Sequence, residues 1–267
     1  IQLTMKISFF EEFPTATNLA KLKYVSWDTK LYLAAPNVKE FLRLEKDILK
    51  KYSNVKECVY WPTLEISEGY WVSPWTDTAA LSQLFKSLLL EQKRRGEKGE
   101  DSLSVMLDFE PPKLKRQIIS RFFSFSKNRR LIMNFLLDAK KAGIKLYNIE
   151  MSHLPESIVW MLGLGYSPKA FGHKNIAMYY RSMLQRFVGA FIAKSRFVSR
   201  VRKFVKRDMI IGIGLIAGGI YEIEPVYGAK ELGEDLQICS STGCDEVIVF
   251  RLGGMNAGFE EVCEKYV

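Results

Sequence analysis

Histidine is nearly missing from this chain: its 267 residues include two, His153 and His173. That scarcity argues against a histidine-rich metal centre, which draws on several imidazoles at once. Cysteine is scarce as well, with four residues, Cys58, Cys239, Cys244 and Cys263. Four thiols at these spacings make no disulfide framework, and the Cys-x4-Cys pair at 239–244 lacks a second pair to complete a zinc site. The expectation is buried thiols, with a Cys239–Cys244 bridge as the alternative. No apolar run reaches the ~18 residues of a membrane span, and the most apolar stretch, "MIIGIGLIAGGI" at 209–220, is too short. A charged-then-apolar leader is missing from the N-terminus, yet the first residue is Ile1 rather than Met, so cytoplasmic and extracellular settings both stay open. There is also no zinc finger, GxxG clamp or Gly-rich phosphate loop, so no specific nucleic-acid partner and no cofactor is expected. Oligomeric state leaves no mark in the sequence.

What the chain does have is a hydrophobic fraction of 48%, enough to bury a full core, and an aromatic fraction of 13%. Short β-rich runs alternate with longer helical ones. The β runs lie near 3–10, 30–36, 55–62, 103–112, 144–151, 174–180, 209–217 and 246–252. Helical patterns follow near 16–22, 37–52, 77–95, 126–141, 155–162, 183–207, 228–233 and 256–266. Eight β runs, each followed by helix, predict an α/β fold of the (β/α)8 TIM-barrel class, as a single domain over 1–267. A doubly wound sheet is the alternative, but the early Gly-rich turn of a dinucleotide site is absent. The net charge of +9 is uneven, much of it in "KSRFVSRVRKFVKR" at 194–207. A solvated helix face accounts for that run most simply; attraction to an acidic polymer, an anionic membrane or nucleic acid is the alternative.

Barrels carry their sites where strands run into the following loops, and chemistry-bearing residues gather there. Strand one ends at Glu11 and Glu12. Strand three ends at Tyr60 and Trp61, and its loop carries Glu65, Tyr70, Trp71 and Trp75. Asp108 and Glu110 close strand four; Glu150 closes strand five, with His153 just beyond. Tyr179, Tyr180 and Arg181 follow strand six, Tyr221, Glu222 and Glu224 follow strand seven, and Arg251 follows strand eight. Carboxylates set among flat aromatic rings suit sugar chemistry, because pyranose faces stack on rings while the scissile oxygen needs a carboxylic acid. Tyr60, Trp61, Glu65, Trp71, Tyr180, Arg181 and Arg251 are the expected substrate-binding residues. Each has a plainer reading as core, lid or loop.

The stretch "LSVMLDFEPP" at 103–112 is the most pointed. Residues i and i+2 of a strand share a face. If that face is the barrel interior, Asp108 and Glu110 repel, and at least one is held protonated, as a general acid requires.

The D-x-E of "LDFE" resembles the fourth strand of the chitinase-like glycoside hydrolases, a barrel family, and "IAMYY" at 176–180 resembles that family's sixth strand. The resemblance implies that Glu110 is the proton donor. It implies too that Asp108 orients an acetamido group and that Tyr179 or Tyr180 binds it. The chain departs from the family at Leu103 and Met106, where the motif has acids, and at Arg251, where the family usually has tryptophan. A retaining mechanism pairs Glu110 instead with Glu222 or Glu224, or with Glu150. The expected activity is thus hydrolysis of an oligo- or polysaccharide, with Glu110, Asp108, Glu150, Glu222 and Tyr179 as catalytic candidates and no metal. Two other classes compete. One is a Mg-dependent lyase, isomerase or phosphodiesterase gathering Asp108, Glu110, Glu150 and Glu11 around the ion. The other is a barrel that binds a glycan or a protein without catalysis.

Overall fold

The computed structural model describes residues 4–151, 154–220 and 225–267. Eight strands, β1 (Lys6–Glu11), β2 (Thr29–Ala35), β3 (Val55–Pro62), β4 (Ser104–Asp108), β5 (Lys145–Glu150), β6 (Lys174–Met178), β7 (Ile210–Leu215) and β8 (Glu246–Phe250), follow one another around a closed barrel. The α-helices among the described residues are α1 (Ala16–Leu19), α2 (Val38–Lys51), α3 (Thr78–Lys98), α4 (Arg116–Ser120), α5 (Phe125–Ala142) and α6 (Glu156–Met161). They continue with α7 (Pro168–Phe171), α8 (Arg181–Val188), α9 (Ala190–Lys206), α10 (Ala229–Ser241) and α11 (Ala257–Cys263). This is the (β/α)8 fold that the alternation predicts.

The chain divides into two compact units, Ile1–Leu33 with Glu45–Cys58 and Ile176–Val267, and Ala34–Leu44 with Val59–Asn175. In the first, β1 pairs in parallel with β2 and β8, β8 with β7, and β7 with β6. Phe10 is in register with Tyr32 and Phe250, and Met178 with Gly212, so these residues share a face. Gly212 makes a close approach there: a Cβ would lie 3.3 Å from Met178 Cγ and 3.4 Å from the Phe10 ring, so these neighbours would have to give by a few tenths of an ångström. The opposite face meets the helices, as Tyr179 shows by stacking on Phe197 and Phe204 of α9 at 6.1 and 6.0 Å. In the second unit, Tyr60 stacks on Phe41 of α2 at 4.9 Å, so Tyr60 and its register partner Val105 face the helices. Met106 and Asp108, being of opposite parity, face the barrel interior. Phe85 of α3 and Phe135 of α5 stack at 4.1 Å, each burial contributing about 2 kcal/mol.

Local chemistry sets the helix ends. Asp77 caps α3 by accepting from Ala79 N and Ala80 N at 2.9 and 3.0 Å, and Gly99 ends it at φ 66°. Several boundaries differ from the sequence expectation. The single helix expected over 183–207 is two, because Gly189 at φ 78° and ψ 162° leaves the helical region between α8 and α9. The helix expected near 228–233 extends to Ser241. Strand β4 stops at Asp108 and β6 at Met178, so Glu110, Tyr179 and Tyr180 lie in the loops beyond. All four cysteines are buried free thiols, and no Cys239–Cys244 bridge forms.

Candidate functional site

In the second unit the candidate site centres on the end of β4. Asp108 is buried, at 1% exposure, on the interior-facing side, and Glu110 follows two residues on, half-buried. The loop at 63–77 folds back to this point, where Val72 N donates to the Asp108 carbonyl at 3.1 Å. That loop is pinned from α4: Gln117 Nε2 donates to Ile66 O and Ser67 O, and Arg121 Nη1 donates to Glu68 O and Trp75 O. Helix α4 was not expected from the sequence. Its polar positions are too few in one turn to produce a periodic signal.

The aromatic residues near this point behave differently from the expectation of open stacking faces. Trp61, Trp71 and Trp75 are buried at 3%, 4% and 6% exposure. Trp75 packs on Phe125 at 5.1 Å and Trp71 lies edge-on to Tyr70 at 5.1 Å. Tyr60 faces α2; burial pushes its phenol well above the ordinary range, and its hydroxyl has no hydrogen-bond partner among the described residues. Glu65 is exposed at the loop tip, where its carbonyl accepts from the Glu68, Gly69 and Tyr70 amides. Glu150 does not join Asp108. It shares parity with Asn148, the register partner of helix-facing Leu107, and its Oε2 accepts from Asn175 Nδ2 at 2.7 Å.

In the first unit, the two arginines expected to bind substrate are already engaged. Arg181 donates from Nε to Asp235 Oδ1 at 2.6 Å and from Nη2 to Glu231 O, with Glu234 at 3.1 Å. Both charges are sealed, at 3% and 0% exposure, and burial pushes the Asp235 carboxyl up to about 7 against the pull of Arg181. Arg251 donates to Glu11 Oε1 at 3.0 Å and to Gly218 O at 2.9 Å, and stacks over Phe13. Glu11 is fully buried and also accepts from Phe13 N, Asn18 Nδ2 and Gly253 N. Burial raises its pKa, and Arg251 opposes that rise. A carboxylate clasped this way is a clamp between β1 and β8 rather than a free ligand.

The two tyrosines after β6 separate by parity. Tyr179 faces α9, whereas the Tyr180 hydroxyl donates to Met178 Sδ at 3.2 Å and its ring lies 5.8 Å from Phe250. Phe10, Tyr32 and Phe250, which share this face with Tyr180, are the part of this unit that the sequence reading missed. Phe10 lies 5.4 Å from Tyr32 and 6.1 Å from Phe250. Period-two alternation in β1 and β8 is the signal that places it. At strand eight, it is Phe250 rather than Arg251 that shares this face. Ser182, Gln185, Arg186, Tyr227 and Glu231 line a groove of about 600 Å3 in the same unit. Glu222, Glu224, Tyr221 and His153 lie outside the described residues.

Among the described residues no group of three His, Cys, Asp or Glu side chains is placed to hold a metal ion. In the first unit Glu11 is clasped by Arg251, and in the second Glu150 faces the helices. Among the described residues no helix is long and apolar enough to cross a membrane.

No protein-family model and no curated protein matches the chain. Solved structures do resemble it. A GH5 family lichenase from Caldicellulosiruptor sp. F32 superposes with a TM-score of 0.57 at 9% identity, covering 95% of this chain and 84% of that one. A xylose isomerase domain protein from Planctomyces limnophilus gives 0.57 at 10% identity, with 99% and 96% covered. A class V chitinase from Pseudomonas fluorescens Pf-5 gives 0.54 at 13% identity, with 97% and 98% covered. Likeness at this level of identity is likeness of fold: all three align over most of a (β/α)8 barrel.

Proposed function

We propose that the chain is a carbohydrate-active barrel enzyme working by proton transfer at the end of β4, with Glu110 as proton donor and Asp108 as its positioning partner. The observation that carries this reading is the pair itself. Asp108 is buried and interior-facing, and Glu110, two residues on, keeps access to solvent. A carboxyl half open to solvent can exchange its proton between turnovers, while a buried neighbour can hold a substrate polar group in one orientation. In the hydrolytic version, Glu110 protonates the glycosidic oxygen as the bond to the anomeric carbon breaks. Water then adds to that carbon, and Glu110 regains its proton.

A second reading is a sugar isomerase or epimerase. It is favoured by the likeness to the xylose isomerase domain protein, which aligns over 99% of this chain. There the same acid would move a proton on the sugar without breaking a glycosidic bond.

Purified wild type and Glu110→Gln should be assayed on a panel of polysaccharides and aryl glycosides, including N-acetylated and acidic polymers. A parallel set of aldoses and ketoses in deuterated water reports isomerisation through deuterium uptake. Cleavage that falls by about 10²–10⁴ in the variant, with its circular dichroism unchanged, supports the hydrolase. Deuterium uptake without cleavage moves the assignment to the second reading. Equal turnover by both proteins, or none by the wild type, overturns the role of Glu110.

A further inference from the structure

Lysine and arginine number 39 in the chain and aspartate and glutamate 30, for a net charge of +9. Nine of the basic residues and none of the acidic ones fall within 181–207, the segment of α8 and α9, so the whole excess belongs to this segment and the remainder is balanced. Arg181 is sealed against Asp235, and Lys194 lies 3.6 Å from Glu234. Arg202, Lys203 and Lys206 need a separate account.

Helical geometry supplies one. The buried residues of α9, Ala193, Phe197, Val201 and Phe204, form a single stripe. Opposite them, within an arc of about 140° at 3.6 residues per turn, lie Phe191, Ser195, Ser199, Arg202, Lys203 and Lys206. The last five of these, with Val198, line a groove of about 630 Å3 that contains three cations, two hydroxyls and no carboxylate. At its N-terminal end the same face becomes apolar: Phe191 is 87% exposed and Ile192 48%, and across the Gly189 turn Phe187 is 81% exposed. Leaving two phenylalanine rings in water forgoes the stabilisation their burial would give, so the cluster looks built for another apolar phase.

We propose that the α8–α9 tip is a docking element for an anionic bilayer surface. Phe187, Phe191 and Ile192 enter the boundary between headgroups and acyl chains. Arg202, Lys203 and Lys206, with Ser195 and Ser199, meet lipid phosphates along a helix face about 17 Å long. Charge complementarity selects the anionic leaflet, and the apolar end selects a membrane over a nucleic acid. An exposed isoleucine adds nothing to base stacking, and the aromatic rings sit at one end instead of alternating with the cations. This inference is independent of the reaction at Glu110.

The test is co-sedimentation of the full chain with phosphatidylcholine vesicles and with vesicles of equal parts phosphatidylcholine and phosphatidylserine, over a range of salt. The expected result is salt-sensitive binding to the second kind. Combining Arg202→Gln, Lys203→Gln and Lys206→Gln weakens it on the order of a hundredfold. Combining Phe187→Ser and Phe191→Ser weakens it by about tenfold or more with the charge unchanged. All five residues are exposed, so the variants remain folded. Two results overturn the proposal: no wild-type binding to phosphatidylserine vesicles, or binding that ignores the phenylalanine changes and is matched by heparin or a single-stranded oligonucleotide. The latter would mean a surface for polyanions in general.

Discussion

Arg181 and Arg251 stand where a barrel would hold an anionic substrate, yet both are enclosed; Arg202, Lys203 and Lys206 stand on an outer helix and are open. Arg181 is 3% exposed and bound to a carboxylate that is itself fully buried. Arg251 completes the clasp around Glu11. The α9 cations line a groove free of carboxylates. Position along a strand therefore does not decide what a basic group does. Burial and the company of an acid do: an enclosed pair contributes to one packed arrangement, whereas an open cluster sets up a field that reaches outward.

The sharpest way to break this contrast is to remove an enclosed arginine. Arg181→Met should lower stability by about 3 kcal/mol, because Asp235 loses the charge that offsets its burial. With Arg181 gone, Asp235 retains a proton more readily, so the loss should be larger at pH about 8 than at about 6. Pairing Arg181→Met with Asp235→Leu should recover most of the stability. Urea unfolding of the single and double variants at both pH values decides the matter. A single variant as stable as wild type would mean that the pair is not a structural unit.

His173 offers a third way to hold a basic group: buried, and kept neutral. Burial pushes its pKa down to about 4 from an ordinary 6.5, while a contact with Tyr166 O partly opposes the shift. The unfolded chain takes up the proton first as pH falls, so stability is complete above about 6.5 and is lost progressively toward 4. The loss should total about 3 kcal/mol, and His173→Phe should flatten that part of the stability profile. An unchanged acid slope in the variant would assign the loss to other groups. Arg251→Met ranks next, at about 2 kcal/mol. The remaining donors to Glu11, from Phe13, Asn18 and Gly253, still satisfy much of the carboxylate. Thermal unfolding measures it, and a loss as large as that for Arg181→Met would make the two clasps equivalent.

Much of the fold was legible because hydrophobic alternation repeats eight times and leaves few other topologies. Face parity was much harder to read. Tyr179 and Tyr180 are neighbours in sequence, yet one packs on α9 and the other lies with Met178 and Phe250. A one-residue difference in where a strand is taken to end exchanges the two faces. Glu150 and Tyr60 both lie on the helix-facing side, Tyr60 through its stacking on Phe41. The tryptophans are hard to read for a different reason. A tryptophan in a polar loop reads as available, but Trp71 and Trp75 are enclosed once Arg121 and Gln117 of the next connection pin that loop. Contacts from a side chain to a backbone carbonyl 46 to 53 positions away leave no local trace. Gly189, by contrast, was visible; the amphipathic pattern continuing across it concealed the break.

The smallest expected effect is also the most discriminating for the comparison. Replacing Lys203 and Lys206 with Gln should change unfolding free energy by less than about 0.5 kcal/mol, since both lie at the surface with no carboxylate in the groove they line. Its sign should be favourable at low salt, because nine like charges within 181–207 repel one another, and 1 M salt should abolish the gain. Calorimetry at two ionic strengths reads both. A destabilisation of the size expected for Arg181→Met would show that the α9 cations hold the fold together after all, and the distinction between enclosed and open charge would not survive it.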